Sequence, residues 1–71
     1  MWFKTEDGGY YNSKNISRIY IEKNPTHEGA FYDIYSKHDL LEEDIVLKGF
    51  FDTEEEAGEW LYNFIMDLNG K

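Results

Sequence analysis

Thr53-Glu54-Glu55-Glu56-Ala57-Gly58-Glu59-Trp60-Leu61-Tyr62-Asn63-Phe64-Ile65-Met66-Asp67-Leu68-Asn69-Gly70 is the stretch whose reading decides the architecture. Ala57, Trp60, Leu61, Phe64, Ile65 and Leu68 recur at the three- and four-residue spacing that lines up along one side of an α-helix, so the segment reads as an amphipathic helix over about 54–69. Thr53 followed by Glu56 has the form of a capping box, and the clustered carboxylates suit the positive end of the helix dipole. Asn69-Gly70 supplies the stop. Tyr62 and Met66 sit one turn apart on the opposite face, an ordinary surface pair that could extend a contact surface. One helix with one apolar stripe must bury that stripe against something, and the rest of the chain has to provide it.

Upstream, the pattern changes to β-branched and aromatic runs separated by polar corners. Strands are expected at about 1–5, 10–12, 16–23, 30–37 and 44–51. Glu6-Asp7-Gly8-Gly9 and Asn12-Ser13-Lys14-Asn15 serve as turns. Asn24-Pro25-Thr26-His27-Glu28-Gly29 breaks the third strand, because proline has no donor to give a ladder. The loop of residues 38–43 is too short for a parallel crossover, so its flanking strands pair antiparallel. The expected fold is a single α+β domain spanning 1–71: an antiparallel β-meander of four to five short strands, in one sheet, with the C-terminal helix packed on one face.

Strand parity sorts side chains between the two faces of such a sheet. With Ile19, Ile21, Tyr32, Ile34, Ile45, Leu47 and Phe51 turned toward the helix, Arg18, Tyr20, Glu22, Phe31, Asp33, Tyr35, Val46, Lys48 and Phe50 turn away. A single helix covers a single face. Tyr20, Phe31, Tyr35 and Phe50 therefore form an aromatic group on the uncovered side, and large exposed apolar patches mark interaction sites. This face is the candidate interface, toward a protein partner or a second copy of the chain.

Charge is unevenly placed. The formal net charge is -8. Through Lys37, the cations Lys4, Lys14, Arg18, Lys23 and Lys37 balance Glu6, Asp7, Glu22, Glu28 and Asp33. Beyond it, Asp39, Glu42, Glu43, Asp44, Asp52, Glu54, Glu55, Glu56, Glu59 and Asp67 face only Lys48 and Lys71. Such a surface repels the phosphates of nucleic acids and the anionic faces of membranes, and attracts basic proteins. Asp39, Glu42, Glu43, Asp44, Glu55, Glu56 and Glu59 make up the candidate acidic surface. As alternatives to plain solubility and helix capping, they could imitate nucleic acid and decoy a basic nucleic-acid-handling protein, in the manner of phage inhibitors.

Size and composition narrow the remaining possibilities. A chain of 71 residues buries only about 60% of its unfolded surface, which leaves little room for an enclosed active site. There is no cysteine, and aromatic residues make up 18% of the chain, so rings take over the stabilising role that disulfides play in other small domains. No apolar run has the length of a signal peptide or membrane span, and a cytoplasmic location is expected.

Chemistry-bearing constellations are sparse. Ser13, Ser17 and Ser36 lack a nucleophile-elbow context, and although Ser36 and His38 share a face of an extended strand, no orienting third group or oxyanion site accompanies them. His27 lies in the proline turn. The acidic loop lacks the alternating ligands and central glycine of a calcium hand. No enzyme, cofactor or metal is expected. Tyr11-Asn12, Asn15-Ile16 and Ile19 at the corner into the central strand, with Thr53 through Ala57 and Trp60-Leu61 in the helix, give the chain a pattern that resembles small bacterial and phage-borne proteins built from a β-meander and one helix, many without assigned function. That likeness implies the fold and transfers no functional residue. The functional expectation is a small acidic, non-enzymatic protein-interaction module.

Overall fold

A computed structural model describes residues 2–6 and 8–70 of the chain. The strands are β1 (Trp2–Lys4), β2 (Tyr10–Asn12), β3 (Ile16–Thr26), β4 (Gly29–His38) and β5 (Ile45–Phe51), followed by helix α1 (Glu54–Asn69). All pairings are antiparallel, and the helix packs on the sheet as expected. Of the first expected strand and turn, Met1 and Asp7 lie outside the described residues. A 3-10 turn, Ser13–Asn15, makes the second corner, with the Asn12 side chain accepting the Lys14 N–H at 3.0 Å.

The expected single sheet is divided. β1 and β2 form a two-stranded hairpin, while β3, β4 and β5 form a separate sheet in that order. Phe3 explains the separation. The hairpin turns this ring inward, where it is buried edge-on against Phe64 of the helix at 5.3 Å and lies 6.3 Å from His38. The hairpin thus shares the covering of the helix-facing side with α1. One long hydrogen bond, Glu6 N–H to the Val46 carbonyl at 3.4 Å, ties it to β5.

A second correction concerns β3, which does not break at Asn24. It runs through Pro25 to Thr26, and only His27 and Glu28 form the turn. β3 is an edge strand, the position where a sheet accommodates a proline without losing a ladder on both sides. Gly29 closes the hairpin with φ 156°, a conformation side chains rarely adopt.

Parity along β4 matches the expectation. Tyr32, Ile34, Ser36 and His38 face the helix side. Ile34 is fully buried and joins Phe3, Leu47 and Ala57 in a core surrounded by Tyr11, Ile16, Ile19, Ile21, Tyr32, Phe51, Trp60, Leu61 and Phe64. Trp60 and Phe64 stack at 5.2 Å along the helix. Thr53 caps that helix by accepting the Glu56 N–H at 3.1 Å, and the Gly70 N–H closes it on the Met66 carbonyl at 2.7 Å. Ile65, placed on the stripe by spacing, lies at its margin and is exposed, as are Tyr62 and Met66.

Candidate functional site

The uncovered face of the three-stranded sheet is built on cross-strand pairs. Register places Tyr20 opposite Tyr35, and Tyr35 opposite Val46. The two tyrosine rings stack at 5.5 Å with 16° between their planes. The Arg18 guanidinium sits 4.8 Å from the Tyr20 ring centre, a cation–π contact that holds one end of the ladder. Tyr20 donates its hydroxyl to the Asp44 carboxylate. That bond, with burial and the Asp44 charge adding to it, pushes the Tyr20 phenol up to about 12, so it stays a protonated donor. Burial and the Asp33 charge raise the phenol of Tyr35 as well.

At the other end the ladder is irregular. Tyr32 pairs with Phe51 and Ile34 with Lys48, so Gly49 and Phe50 together oppose Asp33 in a β-bulge. The Asp33 carboxylate is buried and fills the gap, accepting the Phe50 N–H at 2.9 Å and the Asn24 side-chain amide at 2.6 Å. A Cβ at position 49 would lie 2.7 Å from Asp33 Oδ1, so any side chain there forces the carboxylate to shift. Phe50 adopts φ 62°, the left-handed region that a bulky side chain enters only at a cost of about 1–3 kcal/mol. The result is a phenylalanine 77% exposed on the open face, its ring 5.1 Å from that of Phe31.

The four expected interface residues therefore sit on one face, outside the core, in two ring pairs. Three are half-buried by their neighbours, and Phe50 stands clear.

The seven expected acidic residues are not brought together. Asp39, Glu42, Glu43 and Asp44 precede β5, whereas Glu55, Glu56 and Glu59 follow it on α1. The seven residues of β5 separate the two groups by about 20 Å of extended chain. Asp44 is engaged with Tyr20, and the other six are exposed.

Ser36 and His38 do meet, with Ser36 Oγ 2.9 Å from His38 Nε2 and both residues buried. The Tyr11 ring lies 5.1 Å from the imidazole. Burial lowers the His38 pKa, against the pull of Asp39 and Asp44. A buried hydroxyl and a neutral imidazole satisfying one another make a structural polar pair. Among the described residues no group of three or more His, Asp or Glu side chains is placed to hold a metal ion, and no helix is long and apolar enough to cross a membrane.

A second apolar surface went unread in the sequence. Trp2, Tyr10, Leu40 and Leu41 are exposed and line a cleft of about 190 Å³ with Tyr11, Asn12, Asn15 and His38. The one available signal was a pair of adjacent leucines inside an acidic loop. Comparison with family models, curated proteins and solved structures finds no match to this chain.

Proposed function

We propose that this chain is a small, acidic, non-enzymatic interaction module that works through the open face of its β3-β4-β5 sheet, with a second copy of the chain as its partner. The bulge at Gly49-Phe50 carries the reading. In the monomer the Phe50 ring, held in left-handed backbone over one glycine and one buried carboxylate, has only a one-sided contact with Phe31 and is otherwise left in water. Packing that ring against another surface recovers the cost.

Charge along the ladder favours a self-complementary arrangement. Arg18 pairs with Lys37 at one end of the face, and Glu22 with Asp33 nearer the other. A two-fold axis lying between the sheets and across the strands sets Arg18 and Lys37 of one copy over Glu22 of the next. Strands spaced about 4.8 Å apart and at most some 35 Å long give a face of a few hundred Å², the size of a weak, concentration-dependent contact. The acidic-decoy alternative draws less support, because its two carboxylate groups occupy opposite ends of β5.

Light scattering across a concentration series tests the proposal. The wild type associates, and Tyr20→Glu and Phe31→Glu remain folded monomers by circular dichroism. A wild type that stays monomeric at the highest soluble concentration, or glutamate variants that associate as well as it does, would refute the assignment.

A further inference from the structure

The cleft at the opposite end of the molecule has a fixed floor and a charged extension. His38 forms the floor, immobilised by Ser36 beneath it and Tyr11 beside it. The loop bearing the leucines is anchored by two backbone bonds, Asp39 N–H to the Asn15 carbonyl at 3.0 Å and Leu41 N–H to the His38 carbonyl at 3.2 Å. Leu40 is nevertheless 88% exposed, with Trp2 and Tyr10 about two-thirds exposed across from it. Three of the cleft's residues, Tyr11, Leu40 and Leu41, also line an adjoining depression whose remaining walls are Glu42, Glu43, Asp44, Ile45 and Val46. Glu42 and Glu43 are exposed, and among the described residues no cation lies within ion-pair distance of either.

We propose that this continuous apolar-to-acidic groove is a binding site for a basic segment of a partner protein, which seats a leucine or aromatic side chain between Trp2, Tyr10 and Leu41 and lays an adjacent lysine or arginine on Glu42 and Glu43. Charge complementarity selects the occupant. The groove offers an apolar cup and unpaired carboxylates, and an anionic segment meets the field of a protein of net charge -8. A two-fold pairing of this groove with itself would set Glu42 and Glu43 of both copies together, so a second copy is a poor fit here. The apolar anchor supplies affinity and the carboxylates supply orientation and rate of encounter.

The test uses an array of short synthetic peptides in which lysine and arginine content and leucine, phenylalanine and tryptophan content vary independently, with the intact protein labelled for NMR. Peptides carrying both features shift the Trp2 indole and the Leu40 and Leu41 methyl signals. Leu41→Glu, and separately Glu42→Lys with Glu43→Lys, each weaken that binding by roughly tenfold or more, while the far-ultraviolet spectrum is unchanged. Binding that follows peptide charge alone, binding that survives Leu41→Glu, or the absence of any shift at Trp2 and the two leucines overturns the proposal. Signals of Phe31 and Phe50 stay in place throughout, which separates this site from the sheet face.

Discussion

The two faces of β4 carry alternate residues of one ten-residue strand and solve opposite problems. On the covered side, Tyr32, Ile34, Ser36 and His38 pack beneath the helix and the first hairpin, and their contribution is burial, with one polar pair satisfied internally. On the open side, Phe31, Asp33, Tyr35 and Lys37 have no layer above them. Order there comes from stacked rings, a cation over a ring and a buried carboxylate that organises a bulge. The fully buried residues Ile34 and Ser36 both lie on the closed side of the strand. The closed face holds the core, and the open face holds Phe50, the one non-glycine residue with positive φ among the described residues.

Substitutions that sharpen the contrast fall in a definite order. Ile34→Ala, on the closed face, removes a fully buried side chain from the middle of the core and should lower stability by about 2–5 kcal/mol in urea denaturation. For a domain of this size that approaches the whole of its stability. Gly49→Ala comes next, at about 1–3 kcal/mol, because its new methyl group must displace the Asp33 carboxylate and with it the bonds to Phe50 and Asn24. A Gly49→Ala variant as stable as wild type would mean that the bulge is not held by Asp33.

Acid should act on the closed face through His38. Its folded pKa lies below the ordinary value of 6.5, so the unfolded chain binds the proton more tightly. The stability conferred by the neutral buried ring is present above about pH 6.5 and is lost as the pH falls through the depressed folded value. Thermal melts between pH 8 and 5 (about one unit apart) should decline over that range, and His38→Gln should flatten the decline.

Phe50→Gly gives the most informative small effect. Glycine adopts φ 62° without strain, so the variant should match or exceed the wild type in stability by up to about 1 kcal/mol while losing self-association. Tyr62→Ala and Met66→Ala, on the exposed side of α1, should change stability by no more than about 0.5 kcal/mol and leave association untouched.

The helix and the strand faces were legible because each is written in a local period: three to four residues from Ala57 through Leu68, and two along β4. What could not be read depends on partners distant in sequence. Pro25 is compatible with β3 only because that strand lies at an edge, a fact of topology. The bulge is set by Asp33, a residue of another strand, meeting Gly49 and Phe50. Trp2 and Leu40 share a cleft because Phe3 and Tyr11 draw the hairpin onto His38, and no pattern within either segment announces it. The acidic residues, counted as one surface in the sequence, belong to two ends of β5 for the same reason.

Self-association through the open face is read out residue by residue in an NMR dilution series. As the wild-type protein is diluted from millimolar to micromolar concentration, the amide signals of Tyr20, Phe31, Tyr35, Gly49 and Phe50 and the ring signals of the four aromatic residues among them should move together, while the amide signals of Ala57, Leu61 and Phe64 stay fixed. Signals that do not move at all, or that move on the helix and not on the open face, would contradict it.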